Sequence, residues 1–205
     1  MKNRLEISDL SLAYGKRTIL EHISFTLAAG EAVALCGENG SGKTTLLTAA
    51  AGILRPTHGK IRRSGKVGYV PQSAALLEDM TFADNLRYFS AIARARVPQV
   101  LPLCADELRP MRVRDMSGGM KKLCSIVCTL VAAPDILLLD EPYAALDEAH
   151  AAMLTDYLGD FLQSGSSLLI AAHDADEYLP LTSRRLLLTD GSMREETLTR
   201  AEAPV

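Results

Sequence analysis

The stretch Gly37-Glu38-Asn39-Gly40-Ser41-Gly42-Lys43-Thr44-Thr45 constrains the fold more than any other part of the chain. The apolar run at 32–36 precedes it and the run Leu-Leu-Thr-Ala-Ala-Ala at 46–51 follows it, which implies a buried strand, a tight loop and a helix in that order. Its spacing fits G-x-x-x-x-G-K-[ST], in which glycines let backbone N–H groups close around phosphate oxygens and the following helix points its positive end at the anion. Lys43 can then reach the β- and γ-phosphates, and the Thr44 hydroxyl can ligate Mg²⁺. A nucleoside triphosphate site is the direct implication. The loop alone does not name a function, because kinases, GTPases and transport ATPases share it.

The 205 residues suit one domain with a small insertion, and a sizeable core is within reach. A net charge of -3 supplies no basic footprint for nucleic acid, so no nucleic-acid partner is expected. The amino terminus lacks a secretory signal, and the longest apolar stretch, 123–139, is interrupted by Pro134-Asp135 short of a membrane-spanning length. The chain is therefore expected to be cytosolic, with any membrane crossing left to a separate chain. None of the four cysteines, Cys36, Cys104, Cys124 and Cys128, has the close pairing of a zinc or redox motif, and buried free thiols are expected.

Residues 5–27 alternate apolar and polar around a turn at Tyr14-Gly15-Lys16-Arg17, the pattern of a half-exposed antiparallel hairpin. Tyr14, at its tip, suits either a surface aromatic or a contact to the nucleotide. A helix from Thr44 to about Ala51 and short strands at 60–62 and 67–70 come next, the second strand delivering Pro71-Gln72. Over 81–95 the spacing is helical, with Phe82, Leu86, Phe89 and Ile92 able to share a face. A proline-punctuated segment at 97–110 leads on to Arg112 and Arg114, which with Arg109 read as a solvated face. These residues form a helical subdomain, about 76–120, inserted between two halves of a nucleotide-binding core.

At the end of that insertion Ser117-Gly118-Gly119 opens an apolar helix, a second nest of free N–H groups and a hydroxyl suited to an anion. One chain has little use for two such nests on one nucleotide, whereas two chains facing each other would. The run 136–139 ends in Asp140-Glu141, so a strand buried on both faces delivers two carboxylates at its carboxyl end. Asp140 can hold Mg²⁺, and Glu141 is placed to polarise an attacking water. An amphipathic helix over 148–163 and a buried strand over 167–172 bring His173 to the same edge as a candidate γ-phosphate contact. A hairpin turning at Asp190-Gly191 closes the chain.

With these pieces in order the chain resembles the nucleotide-binding subunits of ABC transporters over nearly its whole length, from about Leu5 to Met193. The matching motifs are an aromatic A-loop at Tyr14, Walker A at 37–45, the Q-loop at Gln72, the signature Ser117-Gly118-Gly119, Walker B ending at Asp140, then Glu141, the D-loop Ala145-Leu146-Asp147 and the switch His173. The resemblance implies an α/β fold: a P-loop NTPase core on a mainly parallel sheet, an N-terminal antiparallel β subdomain and the inserted helical subdomain, together one ABC ATPase domain over 1–205. It implies ATP and Mg²⁺ as cofactors and a head-to-tail dimer, homodimeric or with a paralogue. ATP would lie between Gly37, Asn39, Gly40, Ser41, Gly42, Lys43, Thr44 and Thr45 of one subunit and Ser117, Gly118 and Gly119 of the other. Tyr14 would stack on adenine, Gln72 would touch Mg²⁺ or the lytic water, Glu141 would be the general base and His173 would align the γ-phosphate. A transmembrane permease on a separate chain would dock near 72–95, holding the protein at the cytoplasmic face of the membrane. The sequence departs from the usual L-S-G-G-Q signature at Met116 and Met120, and methionine cannot reproduce the glutamine's hydrogen bonds. Methionine followed by Lys121 looks like some export-type branches of the family.

Overall fold

The protein is described here from a computed structural model covering residues 2–172, 181–182 and 184–197. Two sheets pack together around one shared core. The first is antiparallel, with β1 (Asn3–Tyr14) in the middle, β2 (Arg17–Ala28) on one edge and β4 (His58–Arg63) on the other. The second has six strands in the order β5 (Val67–Val70), β6 (Ile136–Asp140), β7 (Ser167–Ala172), β3 (Ala32–Gly37), β8 (Arg184–Thr189), β9 (Ser192–Thr197). Its first five strands are parallel and β9 returns antiparallel. This is the mainly parallel core with an N-terminal antiparallel sheet that the sequence implied.

Every residue of β3, β6 and β7 is buried, because this sheet is covered on both faces. Alternate side chains serve two cores. Val33, Leu35, Ile136, Leu138 and Leu169 pack with α1 (Lys43–Ala51) and the apolar face of the antiparallel sheet. Leu137, Leu139, Leu168 and Ile170 pack with α3 (Gly118–Leu130), with Leu154 and Leu158 of α4 (Glu148–Gln163) and with Phe82 and Leu86 of α2 (Phe82–Ala93). Each fully buried leucine or isoleucine contributes about 1.5–3 kcal/mol relative to exposure, so a one-residue slip of any of these strands would be costly.

The elements between β5 and α3 correct several expectations. Ile92 does not join the face of Phe82 and Leu86; it lies at the outer end of α2 and is 64% exposed. Residues 97–110 hold a single 3-10 turn (Ala105–Leu108), yet Leu101, Leu103 and Ala105 are buried against the helices. Of the three arginines expected on a solvated face, Arg112 and Arg114 are exposed, whereas Arg109 is half-buried. Arg109 pairs with Asp106 at 2.8 Å and donates to the carbonyls of Pro98 and Gln99, while Arg112 and Arg114 reach the Asp79 carbonyl and carboxylate respectively. Among the cysteines, Cys36, Cys124 and Cys128 are buried as expected, whereas Cys104 is exposed against that expectation, because it stands at the surface turn just before Ala105–Leu108.

Candidate functional site

The carboxyl ends of β3, β6 and β5 lie along one edge of the parallel sheet and carry the candidate groups. At the first of them, residues 37–42 turn into α1, and Gly42 is the residue before the helix with φ 105. A Cβ on Gly42 would lie 2.9 Å from Leu20 Cδ2, so both its backbone angle and the packing of β2 demand glycine. Helices α2, α3 and α4 each begin with a side-chain cap, from Thr81, Ser117 and Asp147, whereas α1 has none. Its first-turn N–H groups are the ones an anion would satisfy. Lys43, 6% exposed, bends its ammonium back to donate to Gly37 O at 2.6 Å and Glu38 O at 3.1 Å.

Pairing of β3 with β7 and of β7 with β6 brings Asp140 beside the start of α1. The Thr44 hydroxyl donates to Asp140 Oδ2 at 2.7 Å. Burial raises the Asp140 carboxyl above its usual range and the Glu141 carboxylate adds to this; the Thr44 hydrogen bond and the Lys122 and Lys43 ammonium groups pull it back. Tyr69 on β5 is pushed up to about 12 by burial and by the Asp140 charge. Hydroxyl, carboxylate and amide oxygens are the hard donors that Mg²⁺ takes, so Thr44, Asp140 and Gln72 fit that ion.

Gln72 is not beside the phosphate loop in the sheet: β5 is the edge strand, paired with β6. What it reaches is Glu141, whose Oε2 accepts from Gln72 Nε2 at 2.8 Å. Glu141 has φ 47, an uncommon backbone for a side chain of this size, held by its N–H donating to Ala171 O at 3.0 Å.

A cavity of about 650 Å³ opens over the outer side of the loop. Arg17, Thr18 and Ile19 of β2, residues 37–41 and the turn at Thr189-Asp190-Gly191 line it, and no signature residue does among those described. The sequence did not point to Arg17 or to that turn, because the turn reaches the loop through β8 pairing with β3, and Arg17 reaches it through the packing of β2 against Gly42. Tyr14 ends β1 and is 54% exposed. The signature sits elsewhere: the Ser117 hydroxyl accepts from Met120 N at 3.2 Å, and Gly119 lies so close to the D-loop that a Cβ would be 2.6 Å from Ala145 O. Met116 is buried near Cys124. Met120 packs at the margin of the core. His173 lies outside the described residues.

One residue of the site went unread in the sequence. Lys122, 4% exposed, donates to the carbonyls of Gln72 (2.6 Å), Pro71 (3.1 Å) and Asp140 (3.3 Å). Burial lowers its ammonium below the usual lysine range, and the Asp140 and Glu141 charges oppose that shift. The available signal was weak: the position four residues before Ile126, on the buried face of α3.

The family described as "ABC transporter" matches residues 20–144, more than half of the chain. A Nod factor export ATP-binding protein I of Paraburkholderia xenovorans is 34% identical over 91% of this chain and 68% of its own length. A ribose import ATP-binding protein of Rhizobium etli is also 34% identical over 91% of this chain, which spans 42% of that longer relative. A solved structure titled "Structure of ATP binding subunit of ABC transporter" superposes with a TM-score of 0.82 at 27% identity, covering 95% of this chain and 90% of its own. Relatives named for export and for import thus stand at equal identity. By the extent of the family match and by relatives above 30% identity along nine-tenths of its length, this chain belongs to the ABC transporter family, as an ATP-binding subunit.

Proposed function

We propose that this subunit powers a separate transmembrane permease through ATP-driven closure of a head-to-tail dimer of nucleotide-binding subunits. The observation that carries the reading is the pairing of Thr44 with Asp140 and of Gln72 with Glu141 along one sheet edge, next to a helix start with no side-chain cap. The N–H groups of residues 40–45 would cradle the phosphates, and Lys43 would exchange its two carbonyl partners for phosphate oxygens. Held by Thr44 and Asp140 with the Gln72 amide oxygen, Mg²⁺ would neutralise charge building on the β- and γ-phosphates. Glu141, oriented by Gln72, would take a proton from the water that attacks the γ-phosphorus, with His173 holding that water in line. The products are ADP and phosphate. Tyr14, exposed at the end of β1, would support the adenine ring.

Ser117, Gly118 and Gly119 would serve the nucleotide of the opposite subunit, which accounts for their separation from the loop cavity of their own chain. The permease would dock on the apolar side chains exposed on and before α2, Leu77, Met80, Tyr88 and Ile92. No helix among the described residues is long and apolar enough to cross a membrane, so the cytoplasmic face would be held through that partner. Export as the direction rests on Met120 followed by Lys121, and transport by vesicles carrying the permease and this subunit tests it.

The decisive measurement is phosphate release by the purified chain. Hydrolysis should require Mg²⁺ and vanish in Lys43→Ala; an unchanged rate in that variant would overturn the site assignment.

A further inference from the structure

We propose that Lys122 is a positioning residue for ATP hydrolysis, holding the backbone that carries Gln72 in register with the backbone that carries Asp140 and Glu141. The inference rests on the hydrolytic reading above and assigns a task to a group which that reading leaves idle.

Strands β5 and β6 run parallel with Val70 opposite Leu139 as their last pair. The next pair would be Pro71 and Asp140. Proline has no N–H, so the ladder cannot continue at that point. Lys122 supplies the missing donors from outside the sheet. Its ammonium has three protons and meets three carbonyls, those of Pro71, Gln72 and Asp140. A lysine 4% exposed is seldom found without such partners, since leaving the charge unpaired in the interior would be far costlier than placing it in water.

Directly beyond the stitched carbonyls come the two side chains that meet at 2.8 Å, Gln72 and Glu141. Lys122 touches neither side chain; it fixes the two main chains from which they project. It also stands in the second turn of the helix that Ser117 caps, so the element presenting the signature anchors the catalytic pair of its own chain. The neighbouring Lys121 differs. Its side chain is 24% exposed and pairs with Glu78, itself 65% exposed, a surface contact of little expected weight.

The test uses the full chain, steady-state ATP hydrolysis and binding of a fluorescent ATP analogue. Lys122→Met should lower kcat by about tenfold or more while KM and the analogue's Kd move by less than about twofold, the split expected when only the reacting geometry is disturbed. Lys122→Arg, which keeps charge and donors, should recover part of the loss. In a Gln72→Ala background, Lys122→Met should add less than about twofold, because residues acting through one contact are not additive. Should Lys122→Met fail to fold, Lys122→Gln removes the charge at similar length and carries the same expectations. A wild-type kcat, a raised KM with kcat kept, or fully multiplicative losses with Gln72→Ala would each overturn the proposal. Lys43→Ala run alongside separates the two levels. Loss of turnover there with a wild-type kcat in Lys122→Met sinks only the role of Lys122, whereas full turnover in Lys43→Ala sinks the hydrolytic reading beneath it.

Discussion

Glu141 stands where β6 has ended and Pro142 forces the chain to turn, and it takes a left-handed φ of 47 to do so. Such strain is kept where the surroundings over-determine it, here by the Ala171 carbonyl and the Gln72 amide. Replacing its carboxylate with an amide preserves the shape and removes the proposed base. Glu141→Gln should retain ATP binding and lose about 10²–10⁴-fold in hydrolysis, measured as phosphate release, the usual worth of a positioned base; rapid turnover would end its assignment as the base. Asp140 and Glu141 were legible because two acids closing an apolar run are chemically conspicuous. Lys122 was not, since nothing in Met120-Lys121-Lys122 distinguishes one lysine from the next. Packing decides it: Lys121 reaches outward to Glu78 and Lys122 reaches inward beneath β5 and β6.

Among the elements, the hairpin shows how a pattern can be right in kind and incomplete in detail. Leu5 and Ile7, then Leu10 and Leu12, face the core, and the alternation slips by one at Ser8-Asp9; β2 slips between Leu20 and Ile23. Each slip is a bulge, with Asp9 at φ 50 and His22 at φ 55. The Asp9 carboxylate meets His22 at 2.7 Å and His58 at 3.0 Å across three strands. Hydrogen bonding from His22, then from His58, holds the Asp9 carboxyl below its usual range, and Asp9 raises the His22 imidazole. With His22 raised, its contribution is complete below 6.5 and fades as pH climbs through the higher folded value; with Asp9 lowered, its contribution is complete above 3.8 and fades as pH falls through the lower one. The bulge contact is therefore fullest between those values. An NMR titration should find His22 above 6.5, and Asp9→Asn should bring it back towards that value; no change in the variant would refute the pairing. The bulges are visible as broken alternation, but which three polar residues meet at them depends on β4 adding to β1.

For the molecule as a whole, the proposed division of the site between two subunits makes a prediction that no single subunit can meet. Lys43→Ala and Ser117→Arg should each abolish hydrolysis as pure proteins. Mixed, they should regain part of it, because a head-to-tail pair formed from one of each contains one site with both defects and one with neither. Absence of any recovery, with mixed dimers verified by cross-linking, would refute the division of the site between chains. The local grammar was readable without coordinates: the phosphate loop, the three buried strands, the signature helix and the acid pair follow from apolar runs, glycine spacing and caps, which are short-range properties of adjacent residues. The order β5-β6-β7-β3-β8-β9 was not, nor was the covering of one face by α1 and the first sheet. Strands as uniformly apolar as β3, β6 and β7 can be permuted without changing what each buries, so their order is settled by how crossovers and flanking helices pack. That order brings Thr44 to Asp140, Gln72 to Glu141 and Lys122 beneath both strand ends. By itself the sequence determined which chemical groups the chain owns and the kind of element each sits on; only the tertiary structure decided which of them touch, because contact between residues up to 96 positions apart is a property of packing and not of spacing.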